Sequence, residues 1–172
     1  MPKGLKPTSD VVIISGNVTE SAANTFTQET VDLQLDILNR EIFVVTAIDI
    51  NLSLPDANVA DNETIVRGSL STTSRSGVGT LASSNVMAAG RNVIAADTGA
   101  ALFAGVYSDA STETPHAMLD YIALIATNDF HAQIQGVGNT AVKGMDFRVW
   151  GYRAQATADV FAALTQSELL SA

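Results

Sequence analysis

Apolar and polar residues alternate along most of this chain with a period of two, which is the mark of half-buried β-strands. Between Val31 and Ile37, the residues Val31, Leu33, Leu35 and Ile37 interleave with Asp32, Gln34 and Asp36. Leu38, Asn39 and Arg40 read as a turn. A longer run follows, with Ile42, Val44, Thr46, Ile48, Ile50, Leu52 and Leu54 on one face. Its other face begins apolar (Phe43, Val45, Ala47) and ends polar (Asp49, Asn51, Ser53). The first half of that strand is therefore apolar on both sides. Another element of the same chain must cover it, or another subunit must.

The remaining segments follow the same rule. Pro55 to Glu63 reads as an acidic loop, Thr64 to Ser74 as a Thr-rich strand, and Ser76 to Gly90 as a small, flexible stretch broken by Gly77, Gly79 and Gly90. Asn92 to Ala96 and Ala100 to Tyr107 are strand candidates, and Ser108 to Pro115 a loop. Met118 to Ala126 fits either a buried strand or a short helix. Phe130, Ala132 and Ile134 alternate with His131, Gln133 and Gln135. After the loop Gly136 to Gly144, a last strand runs from Met145 to Ala154. It places Phe147, Val149 and Gly151 on one face and Arg148, Trp150 and Tyr152 on the other. A helix is expected from Thr157 to Leu170, with Thr157 as its N-cap.

About eight strands at short intervals and one terminal helix predict a single all-β domain over residues 1–172. The architecture expected is a two-sheet antiparallel β-sandwich, with a tail at 1–10 and a C-terminal helix and tail at 157–172. Periodicity leaves jelly-roll and immunoglobulin-like topologies both open.

Composition narrows the function. Charged residues make up 16% of the chain, where roughly 25% is usual. Interfaces are poor in charge at their centres, so the deficit favours assembly with copies of itself over a monomer's solvated surface. The net charge of −9 and the scattered nine basic residues argue against direct, non-specific nucleic-acid binding. No cysteine is present, which excludes disulfides and thiolate metal sites. The apolar run Val11 to Ile14 is too short for a signal-peptide core or a membrane span, and neither is expected.

Catalytic signatures are missing. There is no GxSxG elbow, P-loop, HExxH or EF-hand loop, and no enzyme activity or cofactor is expected. Ser76-Gly77-Val78-Gly79-Thr80 lacks the lysine of a phosphate loop and reads as a plain flexible loop. Of the two histidines, His131 lies on a polar strand face and reads as solvated or at an interface. His116 stands near Glu113 and Asp120. The acidic loop is the better metal candidate, since Asp56, Asp61 and Glu63, with the amides of Asn58 and Asn62, offer oxygen ligands for calcium. Three Asn-x-Ser/Thr triplets, at Asn17, Asn51 and Asn62, read as chance. Trp150 and Tyr152 on one face suit a carbohydrate platform, but core or subunit packing explains them more simply.

The segment DFHAQIQGVGNTAVKGMDFRVWGYRA, Asp129 to Ala154, resembles the last two strands of single jelly-roll capsid proteins of small icosahedral viruses. LNREIFVVTAIDINL and the Thr/Ser-rich GSLSTTSR resemble earlier strands of the same family. The resemblance covers about half the chain and is one of pattern. It implies an eight-stranded jelly roll that self-assembles into an icosahedral shell, made in the host cytoplasm and located in the virion. The basic arm with which many such shells package RNA is missing, since only Lys3 and Lys6 are basic in the tail. That departure points to a shell over an internal membrane, over a separately packaged genome, or over a genome neutralised by other proteins. The expected subunit-interface residues are Phe43, Val45, Trp150, Tyr152, Val160, Phe161 and Leu164. The competing expectation is a β-sandwich binding module for carbohydrates or surfaces.

Overall fold

The computed structural model describes residues 3–57, 63–97, 103–110 and 119–171. Its strands are β1 (Leu5–Pro7), β2 (Val12–Thr19), β3 (Thr27–Asp32), β4 (Glu41–Leu52), β5 (Glu63–Ser71), β6 (Val86–Asp97), β7 (Phe103–Ala110), β8 (Ala123–Ile125), β9 (Asp129–Val137) and β10 (Gly144–Ala156). Among the described residues one α-helix, α1 (Ala158–Ser171), follows β10. The strands form two antiparallel sheets. The first runs β1-β10-β4-β8, with β2 pairing β10 beside β1, and the second runs β3-β9-β5-β6-β7.

Alternation places the core. Val18, Phe43, Val45, Ile48, Ile50, Ile125, Met145, Phe147 and Val149 of the first sheet face Val66, Leu70, Ala88, Phe130, Ala132 and Ile134 of the second. Phe130 meets Phe147 edge to face across the gap, with ring centroids 6.0 Å apart. Two antiparallel sheets thus pack face to face, a sandwich arrangement held by one shared apolar layer.

The two-sided half of β4 is resolved within the chain. A bulge shifts the register between Trp150 and Gly151, so that Trp150 pairs Ala47 and Gly151 pairs Val45. The extra residue, Thr46, donates to the Trp150 carbonyl at 3.1 Å. A single inserted residue reverses every later side chain. Ile42 and Val44 therefore point outward, while Ile48 and Ile50 point into the sandwich, although simple alternation puts all four on one face. Ile42 and Val44 form a second apolar layer with Leu5, Ala126, Ala154 and Ala156. Val160, Phe161 and Leu164 of α1 pack on this layer. Gly151 permits the bulge, because a Cβ there would lie 2.4 Å from the Val44 carbonyl oxygen and 2.5 Å from the Phe43 ring.

Two further expectations need correction. The alternating run from Val31 stops being a strand at Asp32, because Gln34 takes a left-handed φ of 52°. From there the chain crosses between the sheets. Leu33 and Leu35 remain buried, with their amides bonded to the Asn128 carbonyl and side chain at 2.8 and 2.6 Å. The small-residue stretch after Thr73 folds back as an ordered cover over the second sheet, and β6 begins at Val86. The ambiguous Met118 to Ala126 segment contains the short strand β8, and its residue Met118 lies outside the described residues. Thr157 stands just before α1, its carbonyl accepting from the Phe161 amide at 2.9 Å.

Candidate interaction surfaces

The outer face of the first sheet divides in two. Helix α1 covers the half formed by Ile42, Val44 and Tyr152. The other half is open, and the register lays its residues out in rows. Ile13, Trp150 and Ala47 form one row, Ser15, Arg148 and Asp49 the next, and Asn17, Asp146 and Asn51 the third. The Arg148 guanidinium lies 5.7 Å from the centre of the Trp150 ring, the distance of a cation–π contact. Val11 and Ile13 are each 60% exposed. The patch therefore combines apolar side chains, one stacked arginine and two acids, and it borders β2. Among the described residues β2 pairs with β10 alone, so its far edge presents unused backbone donors and acceptors.

The expected interface residues separate on this geometry. Phe43 and Val45 are 1% and 0% exposed within a single chain. They are core residues and not the interface residues expected from the sequence, since a side chain with no exposed surface offers none to a neighbour. Val160, Phe161 and Leu164 are half-buried against the second apolar layer of their own chain. Trp150 is half-buried on the open face and remains available for contact. Tyr152 lies beside α1, where burial and then the negative charge of Asp120 push its phenol above the usual range.

Asp56, at the start of the acidic loop, has a structural role. Asp56 Oδ1 accepts from Lys143 Nζ at 2.5 Å, and Oδ2 accepts from the Thr140 amide and hydroxyl at 2.8 Å each and the Ala141 amide at 3.1 Å. Both oxygens are thus committed to the β9–β10 connection. Glu63 is exposed at the start of β5, while Asp61, Asn58 and Asn62 lie outside the described residues, as do Glu113 and His116. The Lys143 ammonium and then the Thr140 and Ala141 donors hold the Asp56 carboxyl well below the usual carboxylate range. A carboxyl lowered by folding stabilises the fold above its unfolded value, and the gain fades as pH falls through the folded value. Asp56→Asn is therefore expected to lower the unfolding midpoint at pH 7 and to flatten the loss of stability below about pH 4. Because Asp56 is 27% exposed, high salt should shrink the difference. Thermal unfolding scans from pH 2 to 7, at low and high salt, measure both effects.

Beside Asp56, a second carboxylate escaped the sequence reading. Glu20 is 4% exposed. Its oxygens accept from the Gly136 amide at 2.7 Å and the Lys143 amide at 2.9 Å, so that it joins the end of β2 to both ends of the β9–β10 loop. Asn139 completes this knot. It donates to the Ile65 carbonyl at 2.8 Å and accepts from the Asp56 amide at 2.9 Å. No periodicity could have found Glu20, since an isolated acid after a strand looks like a surface residue.

The polar face of β9 is buried too. Gln133, fully shielded, accepts from Ser69 at 2.8 Å and donates to Ser71 at 2.6 Å and to Gln28 at 3.1 Å. The connection between β5 and β6 seals this network: the Gly79 amide donates to Ser69 at 2.9 Å and the Arg75 amide to Gln28 at 2.8 Å. His131 is 8% exposed and lies 3.1 Å from Thr30, which corrects its reading as a solvated or interface histidine. A polar face is buried at little cost only when its groups find partners, as these do.

No described helix is long and apolar enough to cross a membrane. No protein-family model matches this chain, and no curated protein is significantly similar to it in sequence.

Proposed function

We propose that this chain is a structural shell subunit, a single jelly-roll capsid protein that assembles with copies of itself into an icosahedral particle. The strand pairing carries the reading. β2 pairs β10, β3 pairs β9, β4 pairs β8 and β5 pairs β6, a set of nested antiparallel partners. A long two-stranded ribbon wound around a common core as a jelly roll would give such nesting, which supports this reading. β7 adds a fifth strand to the second sheet beyond β6. The low charge content, the unpaired edge of β2 and the mixed patch around Trp150 supply surface for neighbours. A stable contact needs about 1,000 Å² in total. The acidic net charge leaves genome condensation to other components. The place of such a subunit is the virion, after synthesis in the host cytoplasm.

Light scattering behind size exclusion, with electron microscopy of the large fraction, tests the reading. Uniform megadalton particles are expected. The double substitution Val11→Lys and Ile13→Lys is expected to abolish them by placing lysines at the start of β2 and just before it. Because both side chains are exposed, the monomer's unfolding free energy should change by no more than about 0.5 kcal/mol. An 18.0 kDa monomer across salt and pH favours the second reading, a β-sandwich carbohydrate- or surface-binding module. That reading draws on Trp150, which lies on an open sheet face with Arg148 stacked against it. Quenching of its fluorescence by oligosaccharides would then be the next measurement.

A further inference from the structure

Glu168, near the C-terminal end of α1, is 8% exposed, and its carboxylate is only half satisfied. Oε1 accepts from the Ala126 amide at 3.2 Å, which pins the helix to the end of β8. Oε2 is buried and has no hydrogen-bond partner. The residue lines a cavity bounded by α1, β8, the start of β6 and the connection before it, whose walls mix the polar Ser84, Asn85 and Ser167 with the apolar Met87, Ile122 and Leu164. A buried acceptor without a donor is unfavourable, and native interiors supply such a group with a water, an ion or a ligand.

The surroundings define what fits. Calcium takes six to eight oxygen ligands, commonly from several carboxylates, and no group of three acidic or histidine side chains is present among the described residues. A primary ammonium carries one positive charge and three donors on an apolar stem. That matches one unpaired carboxylate oxygen in a cavity whose walls combine apolar side chains with hydroxyl and amide groups. We propose that this cavity binds a primary ammonium group, with Glu168 Oε2 as its counter-ion and Met87, Ile122, Leu124 and Leu164 around the attached carbons. The ammonium belongs either to a free alkylamine or to a lysine of another copy of the chain. The free-amine arm stands whether or not the chain assembles.

Other charges act on the site from each neighbouring element. Burial pushes the Glu168 carboxyl up, the Ala126 and Thr127 amides pull it down, and the Asp129 carboxylate pushes it up again. Asp129 lies 3.9 Å from His131. On the β5–β6 side, the Arg75 guanidinium is held by Asn85 and Ser83 at 2.7 and 3.4 Å. Protonating Glu168 removes the counter-ion, so ammonium binding weakens as pH falls through the raised value.

Calorimetric titration of the full chain with n-butylammonium chloride tests the site, with tetramethylammonium at equal ionic strength as the control lacking N–H donors. Saturable binding of butylammonium alone at pH 8 is expected, weakening at pH 5. Glu168→Gln, which keeps the size but removes the charge, should cut the affinity about tenfold or more. Should that variant fail to fold, Leu164→Gln, which disturbs only the apolar wall, should weaken butylammonium more than methylammonium. Equal binding of both ammonium ions, no binding at pH 8, or unchanged affinity in Glu168→Gln would overturn the proposal. A zero-length carbodiimide cross-link from Glu168 to a lysine of a second copy would make that lysine the ligand. Butylammonium binding without the cross-link assigns the site to free amines.

Discussion

Phe43→Ala is expected to lower the unfolding free energy of the isolated subunit by about 3–5 kcal/mol, the usual cost of emptying a buried aromatic site. The ring is 1% exposed inside the sandwich. It also lies where a Cβ on Gly151 would fall, so it packs directly against the bulged stretch of β10. The surrounding sheets are tied by hydrogen bonds and cannot collapse freely into the space, which places the cost at the upper end. Urea denaturation of monomeric protein checks the value. If Phe43 instead served a subunit contact, the monomer's stability would hardly move and only assembly would suffer. The experiment therefore separates a core residue from an interface residue at the position where the sequence left both open.

Glu20→Ala is expected to cost about 2–5 kcal/mol, because it strands two buried amides and each unsatisfied donor costs about 1–3 kcal/mol. The amides are those of Gly136 and Lys143, which flank the β9–β10 loop. Glu20→Gln should cost less than the alanine change but more than a surface substitution. Its one remaining acceptor oxygen can serve one amide, while its NH₂ group faces the other donor to donor. Amide hydrogen exchange adds a local check: Gly136 and Lys143 should lose protection first. Since whole domains are stable by only about 5–15 kcal/mol, either loss is readily measured. Protection unchanged at both amides would show that water replaces the carboxylate, and the knot would then be less important than its geometry suggests.

Much of the fold was legible because strands declare themselves by a period of two. The core faces of β9 and of the first half of β10 follow directly from Phe130, Ala132, Ile134, Phe147 and Val149. The two-sided apolar half of β4 was legible as well, and so was the helix that follows Thr157. What failed were inferences that carried one local pattern too far. Alternation through Thr46 assigned Ile42 and Ile48 to one face, whereas one bulged residue separates them. Alternation through Gln34 extended a strand past the point where its left-handed φ ends it. β2 was missed altogether, since VIISGNVT carries a glycine where the Phe147 ring comes within 2.5 Å of a would-be Cβ.

The candidate surfaces were less legible, for a physical reason. Residue type tells whether a side chain prefers water, but not what lies opposite it. Asp56, Glu20, His131 and Gln133 all look like surface groups in the sequence. Each is held by donors or acceptors that come from segments far along the chain, such as Lys143 for Asp56 and Ser69 for Gln133. The sequence by itself determined the β class, the low-charge surface and the terminal helix, because these depend on local period and on composition. Only the tertiary structure decided which side of β4 is core, which polar groups are buried, and which half of the first sheet stays open. Those outcomes depend on register and on long-range pairing, and a single-residue shift in either exchanges inside for outside.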